Sequence, residues 1–169
     1  MPMYDDPDVI ACFGDNTDLI ADVDRRVELR FGASALAWEG DPKTFQFTYV
    51  SSSSERLLGY AARRWIDEPT FWPDVIIAPE DRNDAVAYCA LATTRRADHV
   101  FEYRARAADG ATVWLRDYVR VLVGPRGIAT TLRGIMLDVT SEKRSSRTFD
   151  APPSLRRPTF EQLSAMTSR

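Results

Sequence analysis

The sequence is poor in the residues that build metal centres and catalytic triads. Its 169 residues include one histidine, His99, and two cysteines, Cys12 and Cys89. One imidazole cannot furnish a histidine-rich zinc site, and no nucleophile–base pair is visible for Ser-His-Asp chemistry. Two cysteines are too few for a disulfide scaffold, so both are expected as free thiols in a cytoplasmic protein. Long apolar runs are also missing; "VIIA" falls far short of a membrane span. The acidic start, "MPMYDDPD", resembles neither a secretory signal nor a presequence. Charge of one sign is absent too, with 22 Lys and Arg against 25 Asp and Glu. That balance argues against a nucleic-acid partner, and the pairs Arg63-Arg64, Arg95-Arg96 and Arg156-Arg157 read as solvated surface.

What is present is ordinary globular material, 44% hydrophobic and 28% charged, enough for one domain with a real core. Residues 1–16 read as a flexible acidic lead-in. Thr17 or Asp18 then caps an amphipathic helix over about 17–29, within a flanking segment 17–32. Its stripe of Leu19, Ile20, Val23 and Val27 packs either on the domain's own sheet or on a partner. Residues 35–39 and 45–50 form a hairpin. "SSSSERLLGY" starts a short helix on a serine cap and ends it at Gly59. Short helical turns fill 61–78, where Pro69 and Pro73 interrupt an aromatic-rich segment. The longest helix is expected at 80–96, with Asp81 and Arg82 pairing locally at its entry. Three strands follow, at 99–107, 112–123 and 128–139, joined by "ADG" and "GPRG" turns. The stretch 145–169, rich in Ser, Arg and Pro, reads as a flexible tail.

This order gives an α+β fold: a five-stranded antiparallel sheet with helices packed on one face, plus the N-terminal flanking helix. Between sheet and helices lies the natural pocket. Four stretches in this order resemble the PAS (Per–Arnt–Sim) family of bacterial sensors: "FQFTYVSSSSERLLGY", "FWPDVIIAPEDR", "FEYRARAADGATVWLRDYVRVL" and "GIMLDVTSEKR". The resemblance covers about residues 33–144. Ala78 departs from it, standing where the family usually has histidine.

The resemblance implies a PAS-like fold and a sensory module in signal transduction, of the kind used in two-component systems, without catalysis. It implies a ligand pocket between the long helix and the inner sheet face. The candidates for its wall are Trp65, Trp72, Ile76, Val86 and Cys89, with Tyr103, Trp114 and Ile135 dependent on strand phase. It further implies a signal exit at Asp138 and Thr140, whose side-chain oxygens cap the start of a charged helix. Covalent flavin chemistry is disfavoured, since no Asn-Cys-Arg string precedes the long helix. Histidine-ligated haem is disfavoured because that helix holds no histidine; His99 is expected at a surface or turn. The cofactor is left unnamed. No kinase, cyclase or DNA-binding segment is apparent, so the expected partners are a small-molecule ligand and a signalling protein or second subunit, with no membrane contact. Two alternatives stand beside this reading: a pure dimerisation module without ligand, and a fragment of a longer sensor histidine kinase or cyclase.

Overall fold

The computed structural model describes residues 5–148. Helix α1 spans Pro7–Phe13 and α2 spans Ile20–Phe31. Strands β1 (Ala35–Gly40) and β2 (Phe47–Val50) form the first hairpin. The short helices α3 (Ser54–Leu58) and α4 (Ala62–Asp67) follow, then a π-helical turn at Trp72–Ile76 and the long helix α5 (Arg82–Thr94). Strands β3 (His99–Arg106), β4 (Thr112–Val123) and β5 (Ala129–Asp138) lead to α6 (Thr140–Thr148). The sheet is antiparallel in the order β2-β1-β5-β4-β3. The two hairpins meet along β1 and β5, so β1 and β5 sit at the centre and the long strand β4 lies beside them.

The sheet has two differently dressed faces. Helices α3–α5 and the π turn cover the inner face, where Leu36, Trp38, Tyr103, Leu115, Val119 and Met136 belong to one core with Trp65, Phe71, Trp72 and Cys89. On the outer face α1 and α2 seal a second, smaller core of Val9, Cys12, Phe13, Val23 and Val27 over Ala35, Ala37, Tyr118 and Ile135.

The expected flexible lead-in is therefore corrected: residues 7–13 are a helix. Asp6 accepts hydrogen bonds from the backbone N–H groups of Asp8 and Val9, Pro7 occupies the first turn, and Val9 and Phe13 are fully buried. The acidic composition masked this, since three apolar side chains in one and a half turns suffice to dock a short helix. The expected cap of α2 changes as well. Leu19 is its N-cap, while Asp18 is drawn off to Arg26 at 2.8 Å. The serines before α3 serve the sheet instead: Ser51 Oγ accepts from Ala37 N–H at 3.1 Å, and Ser53 Oγ donates to the Ala35 carbonyl at 3.1 Å. Residues 149–169, expected as a tail, lie outside the described residues.

Candidate functional site

Strand alternation sets the site. On β4 the residues Leu115, Asp117, Val119 and Val121 share the inner face, and Asp117 pairs across with Phe101 on β3 and Met136 on β5. A carboxylate is thus placed in the middle of an aromatic core. Asp117 is 1% exposed. Two donors satisfy it: Trp38 Nε1–H gives to Oδ1 at 3.0 Å, and Tyr103 O–H gives to Oδ2 at 2.9 Å. Trp72 Nε1–H in turn gives to the Tyr103 hydroxyl at 3.1 Å. No cation of the described residues forms an ion pair with it. Burial therefore dominates over the two hydrogen bonds and pushes the Asp117 carboxyl up to about 7.

Next to this cluster is a small cavity that offers about 10 Å³ to the centre of a water molecule, close to the minimum needed to hold one water. Trp38, Phe45, Phe47, Trp72 and Phe101 form its aromatic walls, and Asp117 and Cys89 reach it from β4 and α5. Gly134 allows this arrangement. A Cβ there would stand 2.1 Å from the Trp38 indole, so only glycine lets that ring lie flat across β5 and aim its N–H at Asp117.

The site residues expected from the sequence divide into three groups. Trp72 and Cys89 line the cavity, and Tyr103 binds Asp117 beside it. Trp65, Ile76 and Val86 pack in or against the same core without lining the cavity. Ile135 and Trp114 lie on the other face and are corrected: Ile135 is buried under α1 and α2, and Trp114 is half-buried between the cations of Arg104 and Lys143, 5.5 and 5.1 Å from its ring. Strand phase caused both errors, because a one-residue shift turns a side chain to the opposite face. The true inner neighbours of Ile135 are Gly134 and Met136. Asp117 was missed as a site residue, and Trp38, Phe45, Phe47 and Phe101 were not among the preferred wall residues. A lone acid inside the apolar run "VWLRDYVRVL" is the signal that could have singled out Asp117.

His99 is also corrected. It is fully buried on the inner face under α5. Its Nδ1–H gives to the Ala97 carbonyl at 2.9 Å, which leaves Nε2 to accept from the Cys89 thiol at 3.4 Å. Burial pushes His99 down and Cys89 up to about 12, so both are neutral near pH 7. Asp81 does not pair with Arg82. It takes Arg104 instead, through Arg104 Nη2 at 2.6 Å and the Arg104 backbone N–H at 2.8 Å, and those bonds lower its carboxyl. Arg82 reaches back to the carbonyls of Pro73 and Asp74.

At the end of β5, Asp138 Oδ1 accepts from Thr140 N–H at 2.9 Å. Thr140 Oγ1 accepts from Trp114 N–H at 3.0 Å, and Val139 N–H gives to the Trp114 carbonyl at 2.8 Å. The first turn of α6 is clasped to β3 and β4 by Arg116–Glu142 at 3.0 Å and Lys143–Glu102 at 3.2 Å. On α2, Val23 and Val27 are consumed by internal packing, contrary to a partner face built on all four residues. Ile20 packs partly against them, Leu19 at the N-cap stays exposed at 70%, and Leu29 near the far end of the helix is exposed at 81%.

Residues 47–136 match the family described as PAS fold. Among solved structures, the N-terminal domain of a diguanylate cyclase with PAS/PAC sensor from Marinobacter aquaeolei is 32% identical. The match covers 64% of this chain and 98% of that one, with a TM-score of 0.60. A sensory box histidine kinase/response regulator from Burkholderia thailandensis is 27% identical over 73% of this chain and 89% of that one, with a TM-score of 0.58. A PAS domain from Colwellia psychrerythraea shares the fold at 20% identity, covering 63% and 87% of the two chains, with a TM-score of 0.55. No curated protein matches the chain.

Proposed function

This chain belongs to the PAS fold family of sensory signalling modules, and we propose that it senses a small ligand in the inner-face cavity and relays occupancy to α6 and to a partner protein. One observation carries this reading. A single strand, β4, holds both ends of the relay: Asp117 points into the cavity, while Trp114 and Arg116, one to three residues away, bind Thr140 and Glu142 of α6 on the other side. A change in the Asp117 hydrogen bonds shifts β4, and a strand has no slack over three residues. The module acts by population shift, not by chemistry. Its expected partner is a signalling protein or a second copy, and its expected setting is the cytoplasm; no helix of the described residues is long and apolar enough to cross a membrane.

Hydrogen exchange at the α6 amides tests the relay. Substituting Asp117→Asn should alter protection over 140–148 without altering α1 and α2. Unchanged exchange at α6 would remove the relay. A second reading, a dimerisation module without ligand, draws on the smallness of the cavity and on the exposed Leu19 and Leu29. Sedimentation at rising concentration distinguishes it: a dimer that Leu19→Glu dissociates favours that reading.

A further inference from the structure

The cavity has the make-up of a cation box. Trp38 and Phe47 meet at 87°, Trp72 and Phe101 at 86°, and Phe45 and Trp72 at 62°, with centroids 5.5–6.1 Å apart. Those angles are of edge-to-face pairs; the same rings line the cavity, and aromatic faces carry negative charge that attracts ammonium groups. Asp117 adds a carboxylate with no cation beside it, and each of its oxygens keeps a lone pair beyond the single bond it accepts. Neutral small molecules need no such acid at the floor of an aromatic pocket. An anion would be repelled by both the acid and the rings.

We propose that this cavity is a binding site for a small protonated amine, its ammonium head on Asp117 and its alkyl part against the aromatic walls. The proposal rests on the ligand-sensing reading above and names the ligand class. The space of about 10 Å³ suits a head of ammonium size. Phe45 and Phe101, two of its lining rings, are half-buried, so the cavity lies close to solvent. Phe45 sits on the loop before β2 in a left-handed backbone conformation, φ 59°, which a bulky residue rarely adopts and which holds its ring against Trp72. The other titratable groups around Asp117 are Cys89 on α5, which lines the space, Tyr103 on β3, which binds the carboxylate, and His99 behind Cys89. All three are held neutral by burial, so Asp117 is the one charge of the described residues that the ligand meets.

The test is a titration of the full chain with methylammonium chloride, read by the fluorescence of Trp38 and Trp72. Sodium chloride serves as the control for charge and methanol as the control for size. Methylammonium should give a saturable change at about pH 8 that neither control reproduces. Its apparent affinity should fall about tenfold at about pH 6, because Asp117 must then lose a proton to bind. Asp117→Asn should abolish the response. Should that variant fail to fold, Phe101→Leu, which keeps an apolar wall and removes one ring face, should weaken binding about three- to tenfold. No response at about pH 8, or an equal response to methanol or sodium chloride, would overturn the amine site. Hydrogen exchange at α6, followed in the same titration, separates the two readings. Binding without a change at α6 keeps the site and removes the relay. A change at α6 on Asp117→Asn without methylammonium binding keeps the relay and removes the amine.

Discussion

The two faces of the sheet each hold an acid, half-buried Glu39 outside and buried Asp117 inside, and they treat it in opposite ways. On the outer face Glu39 meets Arg133 at 2.7 Å, and the guanidinium also donates to the Asp18 carbonyl at 2.8 Å. That charge is neutralised and pinned by the backbone next to α2. On the inner face Asp117 has two neutral donors and no cation. The outer face sets small and aliphatic side chains, Ala35, Ala37 and Ile135, beside Tyr118 under two helices. The inner face is built from aromatic rings and leaves a space beside the acid. A paired buried charge fixes geometry; an unpaired one is an invitation to a proton or a cation. The outer face therefore reads as scaffold and the inner face as site.

The largest expected effect is the pH dependence of stability through Asp117. In the unfolded chain this carboxyl loses its proton near pH 4, and in the folded chain near 7. The folded state therefore holds more protons across that window, and stability falls as pH rises through it and levels off above. The loss amounts to about 4 kcal/mol. His99, pushed down by burial, and Asp81, lowered by Arg104, slope the other way, so the difference between the wild type and Asp117→Asn isolates the acid. Urea midpoints across the window should show a slope for the wild type that the variant loses. Equal slopes would mean that Asp117 is ionised like any surface acid, and the contrast between the faces would disappear.

On the scaffold side, Glu39→Ala strands the Arg133 guanidinium and should cost about 2–3 kcal/mol near pH 7, measured by the same denaturation. A cost below that of a surface pair would show that the outer face does not depend on its charge. Thr140→Val removes the acceptor for Trp114 N–H and should cost about 1 kcal/mol. It should also loosen exchange at α6 more than it lowers global stability, which separates exit joint from core. The smallest effect belongs to Glu142→Gln. This exposed pair with Arg116 should change stability by no more than about 0.5 kcal/mol, while still releasing the first turn of α6 in hydrogen exchange.

Much of the fold was legible. Strand β4 falls at Thr112–Val123 as its alternation and flanking turns require, and the "ADG" and "GPRG" turns place β3 and β5 beside it. Gly59 ends α3 in a left-handed conformation, φ 83°, as a glycine stop should. The site was half legible. Trp72, Cys89 and Tyr103 could be picked as aromatic or small residues near the long helix. Asp117 was passed over, because an acid in a strand is read as a surface residue unless its lone place in an apolar run is weighed. Ile135 and Trp114 failed because both lie one residue out of phase with the inner face. Helix α1 failed because its seven residues are too few to show a period.

The sequence by itself determined the order of elements from α2 onward, the antiparallel hairpins, the family likeness and the strand-to-helix junction at Asp138–Thr140, because these depend on residues near one another along the chain. Only the tertiary structure decided which face each strand residue sees, that α1 closes the outer face, and that Asp117 sits uncompensated among five aromatic rings. Those facts depend on pairings such as Trp38 with Asp117, 79 positions apart. No local pattern encodes them; they exist once β1, β4 and β5 lie side by side and Gly134 lets the indole cross.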